Sequence, residues 1–120
     1  MTTVESILTS IKKLLGITED YEHFDGELMI HINSVFAVLN QLGVGPNAGF
    51  VIADKSFVWK DFLNDDKTLE FVKTFVYLKV RLLFDPPQSA AVIEAINRQA
   101  SEYEWRILVA ADLDGNKYIE

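Results

Sequence analysis

Leu69-Glu70-Phe71-Val72-Lys73-Thr74-Phe75-Val76-Tyr77-Leu78-Lys79-Val80-Arg81-Leu82-Leu83-Phe84-Asp85-Pro86-Pro87 is the stretch on which the fold turns. Leu69, Val72, Phe75, Val76, Val80 and Leu83 recur at helical spacing, and Phe71, Leu78 and Leu82 widen their stripe. Only a narrow strip of Glu70, Lys73, Thr74, Tyr77 and Arg81 is left polar. A helix this apolar has to be covered by more than one neighbour, so residues 66 to 84 are the expected central helix of a bundle. Asp85-Pro86-Pro87 stops it, because proline supplies no amide donor and pushes the preceding residue out of helical geometry.

Toward the C-terminus, Ser89 caps a further helix expected to reach about residue 111, with Ile93, Ile96, Ala100, Tyr103 and Ile107 as its core stripe. At 100° per residue, Trp105 and Val109 fall about 160° from the centre of that stripe, on the side of Glu94 and Arg98. With Leu108 beside them, the end of this helix is apolar nearly all round. In a small domain that requires cover by the chain's own tail or contact with another chain. Residues 112–120 are acidic, contain Gly115, and are expected to form a mobile tail.

Toward the N-terminus, Thr2 is the expected cap of a first helix, with Glu5 reaching back and Val4, Ile7, Leu8, Ile11, Leu14 and Leu15 on one face up to Gly16. A second begins at Asp25, its expected cap, with Leu28, Ile32, Val35, Phe36, Leu39 and Leu42 repeating at helical spacing after it, and Gly43 ends it. Between residues 43 and 66 the pattern changes. Gly43, Gly45, Pro46, Asn47 and Gly49 break helical geometry, and Phe50-Val51-Ile52 and Phe57-Val58-Trp59 read as short strands joined by a turn at residues 53–56. The expected fold is therefore mainly α: a small bundle of about four helices, residues 1–111, with a long loop or β-hairpin between helices two and three and an acidic tail.

Composition sets the outer bounds. The chain has 120 residues, of which 49% are hydrophobic and 24% charged, enough for one domain with a real core. Without cysteine, zinc-thiolate, iron-sulfur and disulfide scaffolds are excluded. Eighteen acidic against eleven basic side chains give a charge of −7, which opposes non-specific grip on nucleic-acid phosphates. No basic leader with an apolar run precedes the first helix, and no apolar stretch approaches the ~20 residues that span a bilayer, so a soluble protein is expected.

Constellations that carry chemistry are missing. There is no phosphate loop, no Gly-x-Ser-x-Gly elbow and no His-Glu-x-x-His motif. His23 and His31 lack the one-turn spacing that aims two imidazoles at one metal, and Asp61, beside Trp59 and Phe62, is better explained by a turn hydrogen bond than by catalysis. Gly43-Val44-Gly45-Pro46 follows a helix instead of opening one, so no helix N-terminus faces an anion there. Residues Asp112 to Glu120 imitate the first nine positions of a calcium loop, with donors Asp112, Asp114, Asn116 and Glu120. Lys117 stands where the sharp turn needs glycine, and the sequence carries no bidentate glutamate at position twelve, so no cofactor or metal is expected. The candidate site is instead an interface to another subunit or partner, carried by Arg98, Trp105 and Val109 on the last helix, Trp59 in the 43–66 excursion and Tyr118 in the tail.

These residues also carry a family likeness. Ile30-His31-Ile32-Asn33-Ser34, Leu39-Asn40-Gln41-Leu42-Gly43-Val44, the run Phe71 to Pro87 quoted above, and Glu102-x-x-Trp105-Arg106 resemble the head-tail connector, or adaptor, proteins of long-tailed phages over about residues 4 to 107. The resemblance implies a structural virion protein of the neck, made in the host cytoplasm. Copies would assemble into a ring, expected to be a dodecamer, on the portal protein. The ring extends the DNA channel without binding DNA specifically and offers a platform to the next neck, stopper or tail component, with the C-terminal segment reaching to the portal. A helical regulatory or scaffolding protein that binds one partner through the Trp105 patch is the competing expectation.

Overall fold

The structure is a computed structural model and describes residues 5–115. It holds five helices: α1 (Ile7–Leu15), α2 (Asp25–Gln41), α3 (Trp59–Phe62), α4 (Asp66–Phe84) and α5 (Ala90–Gly115). The central position expected for residues 66 to 84 is what is found, since α4 packs against each of the other four helices. Leu69, Val72, Phe75, Val76, Leu78 and Val80 of α4 are all buried. Each such side chain contributes about 1.5–3 kcal/mol through loss of contact with water. The helix opens after Asp65, whose carboxylate accepts from the buried Thr68 hydroxyl, and stops at Asp85, whose amide closes the last turn on the Arg81 carbonyl at 3.0 Å.

The hairpin expected within residues 43–66 is not formed. Among the described residues there is no sheet, only an isolated antiparallel bridge between Ser6 and Val58. Both would-be strands satisfy their backbone elsewhere. Asn33 on α2 accepts from the Ile52 amide at 2.7 Å and donates to the Ile52 carbonyl at 3.0 Å, so one side-chain amide does the work of a pairing strand. Phe57 accepts from the Ile7 amide at 3.0 Å, which ties the second run to the start of α1. Asn40, two turns after Asn33 on the same flank of α2, donates to the Pro46 carbonyl at 2.9 Å. Gly45 (φ +91°) passes so close to the Phe62 ring that a Cβ there would collide with it.

In place of a strand, residues from Trp59 form the short helix α3. The Asp61 carboxylate accepts from the Val58 amide at 2.9 Å, which makes Asp61 the local capping group that the sequence suggested.

Two helix starts also differ from expectation. α1 begins at Ile7 with Ser6 as its cap, accepting from the Thr9 amide at 3.2 Å, while Thr2 and Val4 lie outside the described residues. Leu14, placed on the core face by spacing, is exposed. Asp25 is the first residue of α2 and not its cap. Its carboxylate pairs at 2.8 Å with the Lys12 ammonium, which is only 2% exposed and also donates to the Glu19 carbonyl at 2.9 Å. A buried ammonium is tolerable because both of these oxygens replace its water. At the other end of the chain α5 continues to Gly115, past the expected stop at 111, so residues 112–115 of the assigned tail are helical.

Two outcomes follow for stability. Asn33→Ala leaves the Ile52 amide and carbonyl without partners and should lower the unfolding free energy by about 1–3 kcal/mol in urea titrations. Burial pulls the Lys73 ammonium down, but the nearby Glu5 (3.0 Å) and Glu70 (3.3 Å) carboxylates outweigh this and raise its pKa. A raised folded-state pKa stabilises fully below the unfolded value of about 10.4 and loses that effect as pH climbs through the folded value. Glu5→Gln should therefore lower Tm slightly at pH 7, with the difference from the parent closing above about pH 10.4.

Candidate functional site

The candidate surface is the outer side of α5, and its exposure follows from how that helix is held. Twenty-six residues make α5 about 39 Å long at 1.5 Å per residue, the longest helix of the chain. It packs chiefly on α4 and has no comparable contact with α1, α2 or α3. Ile96, Ala100 and Ile107 are buried in that seam, Ile93 and Tyr103 are half-buried, and the Tyr103 ring meets Phe71 of α4 with centroids 6.1 Å apart. The expected stripe is thus the one that docks. The alternating steps of three and four between these positions are those of helices crossing at a shallow angle.

The opposite side has no cover among the described residues. Trp105 is 62% exposed and Val109 37%, while Glu94 and Arg98 are exposed on the same side of the helix. Trp105, Val109, Ala110 and Arg106 join Phe71 of α4 in lining a shallow groove. Arg106 is steadied by Glu102 one turn back, at 2.7 and 3.1 Å through two of its nitrogens. An exposed pair of this kind adds little stability, but it holds the guanidinium along the helix beside the indole. The arrangement offers a flat aromatic anchor next to a paired charge. That combination suits contact with another macromolecule better than it suits a small substrate.

The other sequence candidates fall elsewhere. Trp59 lies in the core: it is 2% exposed, its indole N–H donates to Ser10 Oγ at 2.9 Å, and its ring sits edge-on to Phe36 at 6.1 Å. A surface contact through Trp59 is therefore corrected to an interior tie between α3 and α1. Tyr118 lies outside the described residues, as do Asn116 and Glu120 of the calcium-like pattern. His31 sits one turn from Glu27 at 3.4 Å, and His23 lies edge-on against Phe24 at 4.8 Å. Among the described residues no three His, Cys, Asp or Glu side chains gather to hold a metal, and no helix is long and apolar enough to cross a membrane. Asp54 ends the 53–56 turn by accepting from the Ser56 hydroxyl and amide, which hold its carboxyl below the usual range.

One surface escaped the sequence reading. Ile30 and Val38 of α2 and Val51 of the following loop are exposed, at 66%, 43% and 64%. The signal is present in the sequence, since residues 28–53 contain no Asp, Glu, Lys or Arg and Ile30 and Val38 fall outside the Leu28, Ile32, Val35, Phe36, Leu39, Leu42 stripe.

Because Trp105 is open to solvent, Trp105→Ala should shift the unfolding free energy of the isolated chain by no more than about 0.5 kcal/mol in urea titrations.

No curated protein and no solved structure matches the chain. A family model described as phage connector protein matches residues 7–114, which runs from the first residue of α1 almost to the end of α5 and so takes in both the α4–α5 hairpin and the pinned loop. The chain belongs to the phage connector protein family, and its role is accordingly structural.

Proposed function

We propose that the chain is an adaptor subunit of the phage neck: copies form a ring, dodecameric by likeness to such adaptors, on the portal protein, extend the DNA channel and present a platform to the next neck, stopper or tail component. The observation that carries this reading is the uncovered Trp105–Val109 side of α5 in a chain of the connector family. A helix that leaves a tryptophan in water on one side while docking fully on the other is built for a second contact. Arg98, Trp105 and Val109 are the residues assigned to it. The charge of −7 supports passage of DNA without specific binding, because a negative lining repels phosphates. The reading places the protein in the virion neck, with the host cytoplasm as the site of assembly.

Negative-stain microscopy and light scattering of the full chain, alone and with its portal, test the proposal. Rings that cap the portal are the expected result. Monomers in the presence of portal, or a one-to-one complex through the Trp105 patch, would overturn it. Trp105→Ala should weaken assembly by about tenfold or more while leaving Tm close to the parent's, as for an anchor at an interface.

A further inference from the structure

We infer that the outer face of α2 is the surface that receives α5 of a neighbouring copy, with Ile30 and Val38 set against its Trp105–Val109 end. This rests on the ring reading above and names the two faces that meet.

The starting point is a gap in charge. Residues 28–53 carry no Asp, Glu, Lys or Arg, in a chain where 24% of residues are charged. Burial accounts for only part of the gap: Leu28, Ile32, Val35, Phe36 and Leu39 point into the core. The opposite side of the same helix presents Ile30, Ser34, Ala37, Val38 and Gln41, all exposed and within an arc of about 100°. A water-facing helix surface ordinarily carries lysine and glutamate, as the exposed sides of α4 and α5 do. Even the polar member is quiet, because the Ser34 hydroxyl donates to the Ile30 carbonyl at 3.0 Å within its own helix. Val51 extends the patch onto the loop, held alongside α2 by the two bonds between Asn33 and Ile52.

Charge also selects the occupant. Two copies, each at −7, repel one another unless they meet where charge is absent or already paired. Between Ile30 and Gln41 the α2 face has none, Glu27 at its N-terminal end lying against His31 at 3.4 Å, and at the Trp105 end Arg106 is paired with Glu102. These faces also lie on different flanks of the molecule. Phe71, which meets Tyr103 of α5, and Leu78 and Leu82 lie about 160° around α4 from the buried Leu69, Val76 and Val80. α2 and α5 both pack on α4 without packing extensively on each other. One copy can therefore offer α5 to one neighbour and α2 to the other. Contact between unlike faces repeats from copy to copy and closes into a ring when the rotation permits.

The absence of cysteine makes the contact directly testable. The full chain carrying both Val38→Cys and Val109→Cys, mildly oxidised with portal present, should give a ladder of disulfide-linked multimers. A one-to-one mixture of the two single variants should stop at dimers. Rings visible by microscopy without a ladder would overturn the assignment of faces and leave the ring standing, whereas absence of both rings and ladder would overturn the ring reading itself. As a second measure, Val38→Glu should raise the concentration needed for assembly by about tenfold with Tm unchanged. Parent-like assembly of Val38→Glu would also refute the inference.

Discussion

The constraint on which the structure depends is that α4 is apolar on too many sides for any single neighbour to cover. A stripe from Leu69 to Val80 is buried with α1, α2 and α3, and the flank bearing Phe71 is left over. α5 exists in this fold to cover that flank. Because Asp85-Pro86-Pro87 turns the chain back at once, α5 runs antiparallel along α4 and can reach little else. Its outer side is consequently exposed for a geometric reason, and the placement of tryptophan there is a choice made within that geometry.

The rest of the chain is organised by polar groups that must be satisfied away from water. Lys12 and Asp25 close the α1–α2 corner with an ion pair that has little contact with solvent, supported by the Glu19 carbonyl. Removal of either partner would strand the other, which is why such pairs are costly to break even when they add little net stability. Asn33 and Asn40 perform the same service for the long loop. They lie on one flank of α2 and give the loop backbone the partners that a sheet would have given it. A segment with strand-like composition thus becomes an ordered, strandless arm folded against α2.

These two features bear jointly on the protein's place in the phage connector family. A structural subunit needs a rigid body with open faces, and here the rigid body is the α4-centred core while the open faces are the outer sides of α5 and α2. Both hold exposed apolar side chains in a strongly acidic chain, with Glu94 and Glu102 sharing the outer side of α5 and Glu27 standing at the start of the α2 face.

Local chemistry determined the helices. The 3.6-residue period of residues 66–84, the diproline stop after Asp85 and the glycines at 16 and 43 were sufficient to place α1, α2, α4 and α5, and the angular offset of Trp105 from Ile96 and Ile107 was sufficient to predict which side of α5 stays wet. These are properties of neighbouring residues along one helix, so the sequence carries them directly. The fate of residues 50–59 was not of this kind. Whether Ile52 pairs with a strand or with Asn33, nineteen residues away, depends on which partner the packed core brings within 3 Å, and composition is the same in both cases. Trp59 was legible as a large side chain but not as an interior one, since Ser10, forty-nine residues distant, is what accepts its N–H. Tertiary structure alone decided these long-range partners, because a backbone or indole donor has no preference among acceptors until folding sets one of them beside it.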